Sequence, residues 1–160
     1  MIAWTEEIVD VVQAVSTALL GTEAALAHAE KGHCAFEPRD VLAGCVTIDG
    51  PWRGAVVIAC SRILAYRTAA QMFGCSLEQL TDEQARDAMG EIVNVVGGNL
   101  KSLFASYEKG PCHLSLPIVG DQSISIAGTK PIHCLHFKLG ADVLRVTVLE
   151  SGLTHNTEAE

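Results

Sequence analysis

Residues 81–101 read TDEQARDAMGEIVNVVGGNLK, and the winding of this stretch decides the fold. Thr81 followed three residues later by Gln84 is a capping box, in which side chains and backbone exchange hydrogen bonds at a helix start. The apolar spacing beyond it predicts a helix over 82–107 that closes at Gly110-Pro111. With about 3.6 residues per turn, Ala85, Met89, Ile92, Val96, Leu100 and Leu103 form a core stripe. Asp87, Glu91, Asn94, Gly98 and Lys101 fall opposite, within about 80° of one another. Glu91 and Asn94, three apart, point the same way. Gly97 and Gly98 in mid-helix each cost about 1 kcal/mol against Ala. That cost makes sense where another backbone must approach the face closely. Asn99 lies toward the edge of the core stripe, where a structural hydrogen bond is its expected role.

Outward from this helix the chain divides. On the N-terminal side, residues 5–20 read as a helix with Ile8, Val11, Val12, Val15, Leu19 and Leu20 at helical spacing. Thr5 is its expected cap and Gly21 its stop. Residues 22–39 are Ala-rich and then irregular, and read as a short helix followed by a connection. Two strands, 41–48 and 52–60, flank the turn signal Asp49-Gly50-Pro51. Residues 61–73 read as a second helix, with Ile63, Leu64, Ala70 and Phe73 inward and Gly74 ending it. Beyond Pro111, four runs read as strands: 112–119, 123–127, 132–139 and 143–149. The order predicts an α+β fold, helices packed on one largely antiparallel sheet, as a single domain over 1–150. Residues 151–160 read as a polar, frayed tail.

Composition narrows the function. Eleven Lys+Arg against nineteen Asp+Glu give a net charge of −8, without a basic run, so neither nucleic acid nor an anionic membrane is the expected partner. Apolar runs are too short to span a bilayer. Glu6, Glu7 and Asp10 without an early Lys or Arg do not read as a secretory signal, so a cytoplasmic location is expected. The six cysteines then read as free thiols. No Cys-x-x-Cys pair exists, and alternation along a strand sends His133 and Cys134 to opposite faces, so no metal site is expected.

One spacing carries more than its helix requires: Asp87-x3-Glu91-x2-Asn94, followed after twenty-two residues by Pro117. It resembles the signature of the CheC/CheX/FliY phosphatases of bacterial chemotaxis, and the surrounding Met89-Gly90-Glu91-Ile92-Val93-Asn94 and Gly97-Gly98-Asn99 resemble CheX. The likeness extends more loosely over about 40–149. The 61–73 helix holds no Glu-x-x-Asn, which is the single-site pattern of CheX. The resemblance implies hydrolysis of the aspartyl phosphate of a CheY-like response-regulator receiver domain by a homodimeric protein. Asn94 would orient the attacking water and Glu91 would pair with a receiver lysine. Gly98 would leave room for receiver backbone, and Asp87 would contact the receiver or simply solvate the helix. Lys101, with Lys109 and Arg86, supplies local charge complementarity or ordinary solvation. Pro117 would set the exit of a strand. No cofactor of the chain's own is implied, the Mg²⁺ being supplied by the receiver.

Three other readings compete. A docking module of the same fold would bind a receiver without hydrolysis, although binding alone does not require a carboxamide at position 94. A phosphate loop at Gly97-Gly98-Asn99-Leu100-Lys101-Ser102 fails because Leu100 interrupts the Gly-Lys-Ser order and the glycines lie inside a helix. A thiol enzyme finds no cysteine placed at a helix start or beside a base in a way that would lower its pKa, with Cys112-His113 the pair left open.

Overall fold

The computed structural model describes residues 4–30, 40–122 and 124–152. Among these, three α-helices lie on one face of a seven-stranded sheet in which every described pairing is antiparallel. Helix α1 (Thr5–Val15) continues as a π-helical turn over Ser16–Leu20 and stops at Gly21, which takes a left-handed conformation. Thr5 is not its cap. Trp4 occupies that position without a side-chain bond, and its indole instead stacks on Phe104 at 4.4 Å between ring centroids.

Residues 25–30 form strand β1, where a short helix was expected. Pairing with β6 (Thr129–Leu139) along the sheet edge, Ala25 opposite Lys138, overrides the helical preference of an Ala-rich run. Residues 31–39, the rest of that expectation, lie outside the described residues.

Strands β2 (Val41–Asp49) and β3 (Gly54–Ser61) form the expected hairpin, in register from Val41↔Ser61 to Ile48↔Gly54. Helix α2 (Arg62–Phe73) is capped by Ser61, whose Oγ accepts the Leu64 N–H, and ends at left-handed Gly74. Its buried face is Leu64, Ala65, Thr68 and Ala69, while Ile63 and Phe73 are half exposed, so two of its four expected inward residues face outward. A 3₁₀ turn, Leu77–Gln79, leads into α3 (Asp82–Glu108).

The capping box of α3 is complete: Thr81 Oγ1 accepts the Gln84 N–H at 3.2 Å, and the Thr81 N–H donates to Gln84 Oε1 at 3.0 Å. The helix closes one residue early, at left-handed Lys109, whose N–H reaches the Ala105 carbonyl. It packs between α1, α2 and strand β2, so Ala88, Gly90, Val93, Gly97 and Phe104 are buried besides the expected stripe.

The C-terminal half departs from four even strands. The run expected over 112–119 is β4 (His113–Leu114) and β5 (Ile118–Gly120), interrupted at 115–117. Both pieces pair with the outer edge of β2. The described residues of the run expected over 123–127 are not a strand. Ile124 and Ile126 instead pack over the sheet face that the helices leave, against Cys45, Val57 and Leu149. Strands β6 and β7 (Asp142–Ser151) are longer than expected, and Ser151 belongs to β7 rather than to a tail. The remainder of that tail, 153–160, lies outside the described residues.

Candidate functional site

The break in the edge strand builds the site. Ile48 faces Leu114 and Cys45 faces Ile118, so three steps along β2 match four along the edge (48 − 45 = 3, 118 − 114 = 4). One extra residue is accommodated at Leu116-Pro117, which is a β-bulge, and proline has no N–H to offer the ladder there. Ser115 bridges the interruption: its N–H donates to the Thr47 carbonyl at 2.9 Å and its Oγ accepts the Thr47 N–H at 2.9 Å. Pro117 is therefore the centre of a bulge, not the exit of a strand.

The bulge leans on α3 beside Gly90. A Cβ built on Gly90 would lie 3.7 Å from both Pro117 Cγ and Val119 Cγ2. Between them runs a groove of about 480 Å³, lined by Arg86, Asp87, Gly90, Glu91 and Asn94 from the helix and by Leu116, Pro117 and Val119 from the edge. Asp87, Glu91, Asn94 and Pro117, the positions that carry the family resemblance, thus share one surface. Glu91 and Asp87 are exposed and Asn94 is half-buried.

Gly98 and Lys101 continue the same helix face but do not line the groove. A Cβ on Gly98 would meet nothing nearer than Leu114 at 4.0 Å. Gly97 is different: a Cβ there would lie 2.4 Å from Val46 Cγ2. The close approach expected at the glycine pair is real at Gly97, made by a side chain of β2 rather than by a backbone. Asn99 is exposed, not at the core margin, and its Nδ2 donates to the Val95 carbonyl one turn back at 2.8 Å.

An ion-pair network fixes the far end of the edge segment. Asp121, just past β5, receives Arg62 at 2.5 Å and also Arg86, and Asp82 receives Arg62 at 2.6 Å and Arg86 at 2.8 Å. The Arg86 guanidinium, then the Tyr66 hydroxyl, hold the Asp82 carboxyl below its usual value, and Arg62 followed by Arg86 does the same for Asp121. Arg86 is thus balanced by two carboxylates, leaving Asp87 and Glu91 as the groove's uncompensated charges.

Sequence reasoning passed over Gly90, Leu116 and Val119 as site residues. Only Pro117 inside an apolar run hinted that the edge would break. Elsewhere, Cys45, Cys60, Cys75 and Cys112 are free thiols, and Cys34 lies outside the described residues. Burial pushes the Cys45 thiol up, and burial with the nearby Asp142 pushes Cys60 up to about 12. Cys112 is buried with its Sγ 3.9 Å from the Trp52 carbonyl while His113 is exposed, an arrangement without an accessible thiol nucleophile. Among the described residues no group of three or more His, Cys, Asp or Glu is placed to hold a metal ion, and no helix is long and apolar enough to cross a membrane.

Helices on one face of an antiparallel sheet, with a carboxylate and a carboxamide displayed in a groove, define an α+β protein whose candidate site is open to solvent. The chain belongs to the CheX family: the family model described as chemotaxis phosphatase CheX matches residues 42–138. Chemotaxis protein CheX from Desulfovibrio desulfuricans is 19% identical, with 93% of this chain and 100% of that one covered at a TM-score of 0.74. A chain of the CheX–CheY–BeF₃–Mg²⁺ complex from Borrelia burgdorferi is 16% identical, with 94% and 100% covered at 0.73. The FliM middle domain from H. pylori shares the fold more distantly, 10% identical over 91% and 86% at 0.63. No match is found among curated proteins.

Proposed function

We propose that this chain docks on a phosphorylated CheY-like receiver domain and hydrolyses its aspartyl phosphate. The observation that carries the reading is the gathering of Asp87, Glu91, Asn94 and Pro117 around one open groove. Hydrolysis of an acyl phosphate needs a water held in line with the departing carboxylate, so orientation is the main contribution a second protein can make. Asn94 suits that role, because its carbonyl oxygen accepts a hydrogen bond from water and the neutral amide adds no negative charge beside the phosphoryl oxygens. Glu91, one turn away, pairs with a receiver lysine and anchors the helix over the site. Attack forms the new P–O bond as the bond to the aspartyl oxygen breaks, releasing inorganic phosphate and restoring the carboxylate. The receiver brings its own Mg²⁺, which neutralises charge on the phosphoryl group.

In this reading Asp87 borders the docking surface, and Gly98 and Lys101 meet the receiver where it overhangs the groove. The protein works in the cytoplasm, as a homodimer that covers one strand edge by pairing. The second reading, a receiver-binding adaptor without hydrolysis, is favoured by the likeness to a FliM middle domain.

The test is the decay of a phosphorylated receiver from the same organism, with this protein or with Asn94→Ala. The expected result is acceleration by the wild type that falls on the order of 100-fold in the variant, with docking retained. Docking without acceleration by the wild type would establish the adaptor reading instead.

A further inference from the structure

The same bulge that brings Pro117 to the helix pushes Leu116 into solvent. Leu116 is 86% exposed and Ile118 is 68%, whereas the other exposed large apolar side chains lie between 40% and 48%. Single exposed apolar residues are ordinary, but Leu116 lines the groove, while Ile118, opposite Cys45, turns to the other face of the sheet. The segment is not loose. Ser115 is tied to Thr47 on one side, β5 pairs with β2, and Asp121 is held by Arg62 and Arg86 on the other. An apolar side chain held out on a fixed backbone loses little freedom when a partner covers it.

We propose that Leu116 is the apolar anchor buried by the phosphorylated receiver, and that it selects which receiver is accepted. The inference rests on the function proposed above. Leu116 lines the same groove as Glu91 and Asn94, so a body seated on those two residues covers it. Charge identifies the occupant further. The groove's uncompensated side chains, Asp87 and Glu91, require a cation from the partner, which the receiver lysine supplies. A second copy of this acidic chain, docked groove to groove, would set Asp87 and Glu91 against their own counterparts. The cognate receiver therefore carries an apolar side chain beside its lysine, and a receiver with a charged residue there is refused.

The experiment titrates the receiver of the same organism, activated with beryllofluoride and Mg²⁺, against wild type, Leu116→Ser and Leu26→Ser, with sedimentation of each protein alone. Leu26 is a suitable control because it is 40% exposed on β1, at the opposite edge of the sheet. Burying a leucine predicts binding about tenfold to a hundredfold weaker for Leu116→Ser. The maximal rate at saturating phosphorylated receiver is expected to stay the same, and Leu26→Ser to bind as wild type does. Equal binding by wild type and Leu116→Ser would overturn the anchor and leave the proposed function standing. Unchanged receiver binding with a dimer lost in Leu116→Ser would overturn it in favour of a second copy. No binding by the wild type would overturn the proposed function and this inference together. A thermal melt of Leu116→Ser matching wild type confirms that the fold is unaffected, as its exposure leads one to expect.

Discussion

Two adjacent glycines in α3 should respond to the same substitution with opposite signs. Alanine in place of glycine in a helix interior gains about 1 kcal/mol. At Gly98 nothing opposes that gain, because the nearest atom to the new methyl is Leu114 Cδ2 at 4.0 Å. Gly98→Ala should therefore raise the melting temperature by roughly 2–4 °C for a chain of this size. At Gly97 the methyl would sit 2.4 Å from Val46 Cγ2, well inside van der Waals contact. Val46 is fully buried on β2 between helix and sheet, so it has nowhere to retreat without disturbing the layer. Overpacking of this kind costs up to about 3 kcal/mol. Set against the helical gain, that leaves Gly97→Ala less stable by about 2 kcal/mol and its melting temperature lower by roughly 4–8 °C. Thermal unfolding of both variants, followed by circular dichroism, measures the two shifts. If both variants melt above wild type, α3 does not approach β2 as closely as described, and the placement of the groove above it fails too. Gly98→Ala carries a second consequence: the more stable protein should hold the receiver less tightly, because its methyl occupies the docking face.

The other predictions concern stability. Thr81→Ala removes half of the α3 capping box and should cost about 1 kcal/mol, read as a lower urea midpoint at unchanged slope. Cys60 gives an alkaline dependence. Its folded-state value, raised by burial and then by Asp142 from 9.0 to about 12, means the folded chain keeps a proton that the unfolded chain releases. The associated stability is intact below pH 9 and declines as pH rises toward 12, by up to about 1 kcal/mol per pH unit. Urea unfolding across that window should show a shallower decline for Cys60→Ala than for wild type, and identical slopes would exclude Cys60 as the source.

Helix α3 and the hairpin before it were legible because their signals are local. A capping box, a 3.6-residue period and the Asp49-Gly50-Pro51 turn signal are each complete within the sequence that bears them. Strand β1 was not legible: Ala-rich residues 25–30 favour a helix by themselves and become a strand only by pairing with β6. Ile124 and Ile126 mislead in another way. Their alternation correctly signals burial, yet they cover the far face of the sheet instead of adding a strand to it. The bulge was invisible for a third reason, since an extra residue exists only relative to a partner's register. The helix half of the groove could thus be read from spacing, while the half made by Leu116, Pro117 and Val119 depended on how two distant segments align.

That division bears on how the site works. Glu91 stands in water, where a single ion pair contributes about 0–1 kcal/mol. In the proposed function Asn94 acts on a water molecule rather than on the partner's surface. A single exposed ion pair and one carboxamide do not supply enough attraction to hold two proteins together. The energy of docking must come from apolar surface that is exposed before the encounter and dry after it, and beside this groove that surface is the bulge. If the proposed function holds, the helix carries the chemistry and the bulge the affinity, and variants of Asn94 and of Leu116 should separate the maximal rate from the concentration at half-saturation.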